Sequence, residues 1–272
     1  MDRADYIVDV LKPLPPKARA VLAVRAAMRT LPATHPALWF WQDGDRARLM
    51  LVVCRCLQFS TFVSSLRNDE TAPQLDEEAR DTADAASAAL EAQGTDSAAV
   101  VSARIALTAV FAATAATDAY AAGAGNVGDA RAATAVDVAL SSFSLLTAES
   151  EGGDDAAIDA FSLDVARIRP PSFLDRLLGR RDDQSGSVLG RPLWPKGVPV
   201  EAAGLWDVLQ HDLRGLNAGF EVWIDWYQDR LDGRPWDWEL ERRCALSTTT
   251  QAHDPAAINA NLRRLRGGAL AS

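Results

Sequence analysis

The hydrophobic residues of this chain follow a helical pattern. Pro15 and Pro16 open a segment in which Val21 and Met28 fall on one apolar side, and the run from Arg48 to Arg67 is apolar almost throughout. The Val52-Val53 pair and the segment with Phe59, Phe62 and Val63 leave a strand open as an alternative. No stretch of useful length alternates between apolar and polar residues as a half-buried strand does. The pattern therefore predicts an all-α fold.

Eleven helices are predicted from this pattern and from the proline and glycine residues that bound them. They run from Pro16 to Leu31, Arg48 to Arg67, Leu75 to Gln93, Ser97 to Ala122, Val127 to Glu149, Ala156 to Arg167, Ser172 to Leu178, Val200 to Leu216, Gly219 to Asp232, Trp236 to Leu246 and Pro255 to Arg266.

The amino-acid composition changes sharply along these helices. Alanine accounts for 25 of the 61 residues from Ala79 to Ala139, whereas six of the eight tryptophans lie between Trp194 and Trp238. Alanine has the highest helix propensity and a small side chain, so the alanine-rich helices should pack closely. A stretch rich in glycine, serine and charge at 179–187 is typical of a linker. We predict two units, an alanine-rich helical bundle at 1–180 and a smaller tryptophan-rich helical module at 190–266.

The segment from Phe220 to Gly233 carries the most information. On a helix its apolar residues fill an arc of about 200°, twice the width expected when only one side is buried. Such a helix should be covered on two sides. Arg230 falls inside that arc, so it should stack on an indole or pair with a carboxylate from another element.

Charge and length exclude several functional classes. The 272 residues carry a formal charge of −9 and a pI near 4.9, which argues against nucleic-acid binding. The longest uncharged apolar stretch, Ile105 to Thr117, is 13 residues long and shorter than a membrane span. The N-terminus has no secretory signal pattern, and three cysteines cannot form a disulfide framework. These features predict a cytoplasmic protein.

The chemical motifs are weak. Residues 123–128 spell G-x-G-x-x-G, but they follow an alanine-rich helix where the dinucleotide fingerprint needs a strand, so a turn between helices is predicted. Asp207 and His211 lie four residues apart and could form a surface pair or half of a general base. Cys54 lies in an apolar run that favours an inert thiol, and Cys244 is a nucleophile only in principle. We expect no metal and no cofactor.

Two motifs carry a resemblance. The residues Leu193-Trp194-Pro195, then Trp206, Trp223-Ile224-Asp225-Trp226-Tyr227, Arg230-Leu231 and Gly233-Arg234-Pro235 resemble a C-terminal module, LWP…W…WIDWY..RL.GRP, of alanine-rich helical alphaproteobacterial proteins. The segment from Val21 to Arg29 is similar to the same group. The resemblance implies that Trp194 to Pro235 is a recurring unit, and it implies no activity.

These observations predict a non-enzymatic interaction or scaffold protein of the bacterial cytoplasm that docks to a protein partner through its tryptophan-rich module. The candidate binding residues are Trp223, Trp226, Tyr227 and Arg230, and a homo-oligomer is left open. One alternative is a sensor or adaptor that binds a small anion at Arg230. Another is a hydrolase or transferase with a site near His211.

Overall fold

A computed structural model describes residues 3–40, 42–65, 98–122, 124–146, 153–168, 188–247 and 254–269. Helices make up 84% of these residues, and no strand occurs among them, which confirms the all-α prediction. The predicted helices at Leu75–Gln93 and Ser172–Leu178 and the predicted linker at 179–187 lie outside the described residues.

Ten α-helices and one 3₁₀ segment, Leu31–Phe40, form the described part of the chain. The α-helices are α1 Arg3–Leu11, α2 Pro16–Thr30, α3 Asp43–Ser65, α4 Ala98–Ala121, α5 Gly125–Leu146, α6 Gly153–Arg167, α7 Val200–Gly215, α8 Glu221–Asp232, α9 Trp238–Leu246 and α10 Pro255–Ala269. Helix α1 and the 3₁₀ segment were not predicted from the sequence, and α3 begins five residues earlier than predicted.

The alanine-rich helices α4 and α5 lie along each other, and α2 packs against both. Alanine side chains are buried where these helices meet, as the composition predicted; in α4 and α5 they include Ala103, Ala106, Ala109, Ala113, Ala116, Ala132, Ala135 and Ala139. The described part of the G-x-G-x-x-G sequence, 124–128, lies where α4 is followed by α5, so it is preceded by a helix and not by a strand, as expected. Gly128 lies so close to the Tyr120 ring that a Cβ there would be 2.6 Å from it.

The run from Arg48, for which the sequence left a strand open, is helical and belongs to α3. Helix α3 is the one described helix that is long and apolar enough to cross a membrane, with a mean hydropathy of 1.3 in its most apolar window. The protein interior buries 78% of that window, as for the core helix of a globular protein. The helix is apolar because it packs against α2, α4 and α9 inside the protein.

The C-terminal helices share one hydrophobic core with the N-terminal helices. The buried cluster runs without interruption from residues such as Leu22 and Met50 to Trp206, Trp226 and Leu262. Contacts between α7 and the 3₁₀ segment, and between α9 and α3, join the two regions. The boundary between 180 and 190 stays a prediction, and the two predicted units are packed together.

Gly233 ends α8 in a left-handed conformation, with φ at 69°. A Cβ on this residue would lie 2.4 Å from the backbone nitrogen of Pro192. Only glycine allows both the backbone conformation and this approach. The end of α8 is therefore fitted against the segment that enters the tryptophan-rich module.

Candidate functional site

The four candidate binding residues of α8 lie in the interior. Trp223, Trp226, Tyr227 and Arg230 are all at least 95% buried, as are the other apolar residues of the predicted arc apart from Leu231, which is 8% exposed. The Trp223 and Trp226 rings meet edge to face, with centroids 5.9 Å apart. The prediction of a helix covered on two sides is confirmed. In the described structure these side chains contact other parts of the same chain.

Hydrogen bonds from buried side chains of α8 fix the position of this helix relative to α10 and α2. The Trp223 indole donates to Oδ1 of Asn259 in α10 over 2.7 Å, and Asn259 donates in turn to the Ala218 carbonyl. The Tyr227 hydroxyl donates to the Met28 carbonyl in α2 over 3.0 Å. Its ring packs on Trp206 of α7 at 4.5 Å. Thus α8 joins α7, α10 and the N-terminal helix α2.

Arg230 stacks on an indole, as predicted, and the indole is that of Trp236. Its guanidinium carbon lies 3.6 Å from the centroid of that ring. The Trp236 ring also meets Trp226 edge to face and stacks on Trp238. Burial lowers the pKa of Arg230 to about 10, although the negative charge of Glu241 acts to raise it. The side chain therefore stays charged at neutral pH.

A second buried charge cluster, absent from the sequence prediction, joins the two regions. Arg25 and Arg29 of α2 both donate to Oδ2 of Asp164 in α6, with Arg25 Nε at 2.8 Å. The same two guanidinium groups bind backbone carbonyls of the segment that enters the tryptophan-rich module. Arg25 reaches those of Val188, Arg191 and Pro192, and Arg29 reaches that of Leu193.

The Asp164 carboxylate attracts both guanidinium groups, whereas the positive charge of Arg29 opposes that of Arg25. Burial raises the pKa of the Asp164 carboxyl, but Arg29 and Arg25 outweigh burial and hold it below its usual value. Burial lowers the pKa of Arg25 to about 10, with Asp164 opposing. We call Arg25, Arg29 and Asp164 the interior clamp. A signal for it was present in the sequence, since arginines at i and i+4 interrupt an apolar helix.

The clamp connects the two motifs on which the resemblance rests. Arg25 and Arg29 belong to the segment Val21 to Arg29, and their carbonyl partners belong to the segment around Leu193-Trp194-Pro195. Arg29 also lies over the Trp194 ring at 5.6 Å. The two motifs are thus parts of one contact.

His211 is exposed on α7, beside an open cleft of about 200 Å³. The cleft is lined by Asp43, Arg46, His211, Asp212, Gly215 and Leu216, so no hydroxyl or thiol is among its described lining residues. The histidine that the structure pairs with a carboxylate is His35, whose Nε2 lies 2.8 Å from Oδ2 of Asp212. Sequence spacing could not reveal that pair, because 177 residues separate its members.

The cysteines are unpaired and buried. Burial raises the pKa of Cys54 far above its ordinary value and that of Cys244 to about 11, so both thiols stay protonated at neutral pH. No group of three or more metal-ligating side chains occurs within the described residues.

The chain was compared with protein-family models, with curated proteins and with solved structures, and none of them matches it.

Proposed function

We propose that this protein is a non-enzymatic scaffold of the bacterial cytoplasm and that its tryptophan-rich module docks against a second copy of the chain. The docking surface is the outer face of α7, which we define by Val200, Gly204 and Val208 together with the preceding Val198. Of the four candidate binding residues, Tyr227 contacts α7 directly, because its ring packs on Trp206. Trp223, Trp226 and Arg230 hold α8 in place inside the module. The unpaired cysteines are in keeping with a reducing compartment.

The observation that carries the proposal is a local concentration of exposed valine. Val198, Val200 and Val208 are 38%, 83% and 45% exposed, and they make up three of the seven exposed large hydrophobic residues among the described positions. Residues four apart share a helix face, so Val200, Gly204 and Val208 form one stripe. The opposite face of α7 buries Trp206, Leu209 and Leu213. Apolar clusters on an outer face are typical of interaction sites.

A second copy is the favoured partner because the stripe is symmetric about its glycine. Val200 and Val208 each lie four residues from Gly204, which corresponds to roughly 6 Å along the helix axis. Two α7 helices that cross in antiparallel orientation at Gly204 bring each Val200 beside the Val208 of the other copy. In a twofold interface of this kind every contact occurs twice, once from each copy. Gly204 leaves room for the close approach, since nothing lies within 4 Å of its Cβ position.

The test is the mass of the protein in solution, measured by sedimentation equilibrium over a range of concentrations. We expect self-association that Val208→Asp abolishes. Val127→Asp is the matched control, because Val127 is 48% exposed on a different helix and should associate like the unmodified chain. Circular dichroism checks that every variant is folded.

A substitution at the crossing point makes the test specific for this pairing. Gly204→Lys places a long charged side chain of each copy where the two helices cross, so it should weaken association. Arg214→Glu is its control, because Arg214 lies about 120° around the helix from Val208 and should associate like the unmodified chain. A chain that stays monomeric at every concentration would overturn the proposal. So would a dimer that Val208→Asp leaves unchanged.

A further inference from the structure

The Arg230 side chain has buried hydrogen-bond donors without acceptors. The residue is 5% exposed, yet neither Nε nor Nη1 has a hydrogen-bond partner in the described structure. The indole nitrogen of Trp226 is also buried and unpartnered. Buried donors of this kind are rare in folded proteins, and they call for a water molecule or an ion.

The two acidic groups near Arg230 are already bound elsewhere. Glu241 and, less strongly, Asp229 raise the pKa of Arg230. The Glu241 carboxylate accepts from Gln58 at 2.8 Å and from Arg266 at 2.9 and 3.1 Å, and Asp229 pairs with Arg234 at 3.0 Å. Among the described residues no carboxylate forms an ion pair with Arg230. A buried guanidinium without a counter-ion is costly, so the site favours an additional negative charge.

The two residues that carry the unpartnered donors contact the same aromatic ring, that of Trp236. Trp226 and Arg230 are one turn apart on α8 and therefore share a face. The guanidinium covers the Trp236 ring at 3.6 Å, and Trp226 meets the same ring edge to face at 6.2 Å. Stacking fixes the plane of the guanidinium while leaving its N–H groups free to donate. Indole and guanidinium N–H groups are donors only, so they select an acceptor.

We propose that a small oxyanion binds at Arg230 and accepts a hydrogen bond from the Trp226 indole. The two chemical sources are an inorganic oxyanion and the carboxylate of a small organic acid. This site lies on the inner side of α8 and does not involve the outer face of α7, so it is independent of the proposed self-association.

The experiment titrates the intact protein with inorganic phosphate and, separately, with acetate. Intrinsic tryptophan fluorescence and calorimetry follow binding, and sodium chloride keeps the ionic strength constant. We expect saturable binding of at least one probe, and the probe that binds identifies the source. Binding should also raise the melting temperature as the probe concentration rises above its Kd.

Three variants locate the binding site. Arg230→Met keeps the approximate length of the side chain and should abolish binding. Trp226→Phe removes the indole N–H together with part of the ring and should weaken binding about tenfold or more. Arg242→Met, at an exposed arginine of α9 near Glu239, should bind like the unmodified chain. If Arg230→Met fails to fold, the affinity of Trp226→Phe for the probe tests the proposal.

The inference is overturned if neither probe binds in a saturable way, or if Trp226→Phe and Arg230→Met bind as tightly as the unmodified chain. A high-resolution crystal structure grown with the probe that shows water alone beside Arg230 would overturn it as well.

Discussion

Nε of Arg25 lies 2.8 Å from Oδ2 of Asp164, although 139 residues separate them in the chain. The pair joins α2 to α6, and the rest of the same guanidinium binds the carbonyls of Val188, Arg191 and Pro192. Three segments that are distant in sequence therefore meet at one side chain. Because that side chain is 1% exposed, the contact is screened little by solvent.

Asp164→Asn should strongly destabilise the fold. It removes the charge that neutralises Arg25 and Arg29 and leaves both guanidinium groups buried without a counter-ion. Breaking such a pair costs about 3–5 kcal/mol of unfolding free energy, which urea denaturation measures. Asp159→Asn is the control, because its ion pair with Lys196 is exposed and should contribute less than about 1 kcal/mol. Equal losses in both variants would contradict the role of the interior clamp.

The contribution of Asp164 should depend on pH in the acid range. Its folded pKa is lowered, so the stabilisation is complete above the unfolded pKa of about 3.9 and is lost as pH falls through the folded pKa. The difference in unfolding free energy between the unmodified chain and Asp164→Asn should therefore shrink below about pH 4. Urea denaturation at a series of pH values measures this difference. A difference that stays constant down to pH 2 would refute the assignment.

Two tryptophans one turn apart on α8 should respond differently to the same substitution. Trp223→Phe breaks the indole hydrogen bond to Asn259 and leaves a buried amide oxygen without a donor. We expect the free energy of unfolding to fall by about 1–3 kcal/mol more than the loss of ring area alone would cause. Trp226→Phe removes an N–H that has no acceptor in the described structure, so only the loss of ring area remains. Chemical denaturation measures the free energy of unfolding of both variants. An equal loss in the two would contradict the contribution of the hydrogen bond between Trp223 and Asn259.

Two glycines should respond to alanine with opposite signs. Gly233→Ala places a methyl group against Pro192 in a backbone conformation that disfavours it, and should cost about 3 kcal/mol or more. Gly204→Ala meets open space within helix α7 and should stabilise by up to about 1 kcal/mol. Thermal unfolding at protein concentrations at which the chain is monomeric measures both changes. At concentrations at which two copies associate, the added methyl group lies at the proposed contact, so the gain from Gly204→Ala should be lost. Destabilisation of the monomer by Gly204→Ala would contradict the open space at this position.

Cys54 should contribute to a loss of stability at alkaline pH. Its folded pKa is raised by burial, so the stabilisation is complete below the unfolded value of about 8.5 and is lost as pH rises above it. The cost of Cys54→Ala should accordingly fall by about 1.4 kcal/mol for each pH unit above that value. The neighbouring buried residue serves as control, since the cost of Val53→Ala should not change with pH. Urea denaturation between pH 8 and 10 checks both.

The class of the fold and most of the helices were predictable from the sequence. Helix boundaries follow from local signals, for example Pro16 at the first position of α2 and Gly233 after the last position of α8. The apolar arc of α8 was equally predictable, because a helix fixes the angular position of each side chain. The close packing of α4 against α5 followed from their alanine content.

The partners of the buried residues could not be predicted. The stacking of Arg230 on Trp236 depends on how the chain turns after Gly233, which helical geometry does not describe. The clamp could be suspected from the spacing of Arg25 and Arg29, but Asp164 is one of many carboxylates in the chain. His35 and Asp212 had no signal at all, since neither has an informative neighbour in sequence.

The sequence by itself determined where helices form and which side of each is apolar, because both depend on interactions within a few residues. Only the tertiary structure decided that the tryptophans of α8 face inward and that valines of α7 face outward. Burial is set by what packs against a helix, and those contacts come from other elements, such as Asn259 against Trp223 and Met28 against Tyr227. The candidate site consequently moved from the aromatic residues that the composition emphasises to the valine stripe on α7 and to the unpartnered N–H groups of Arg230.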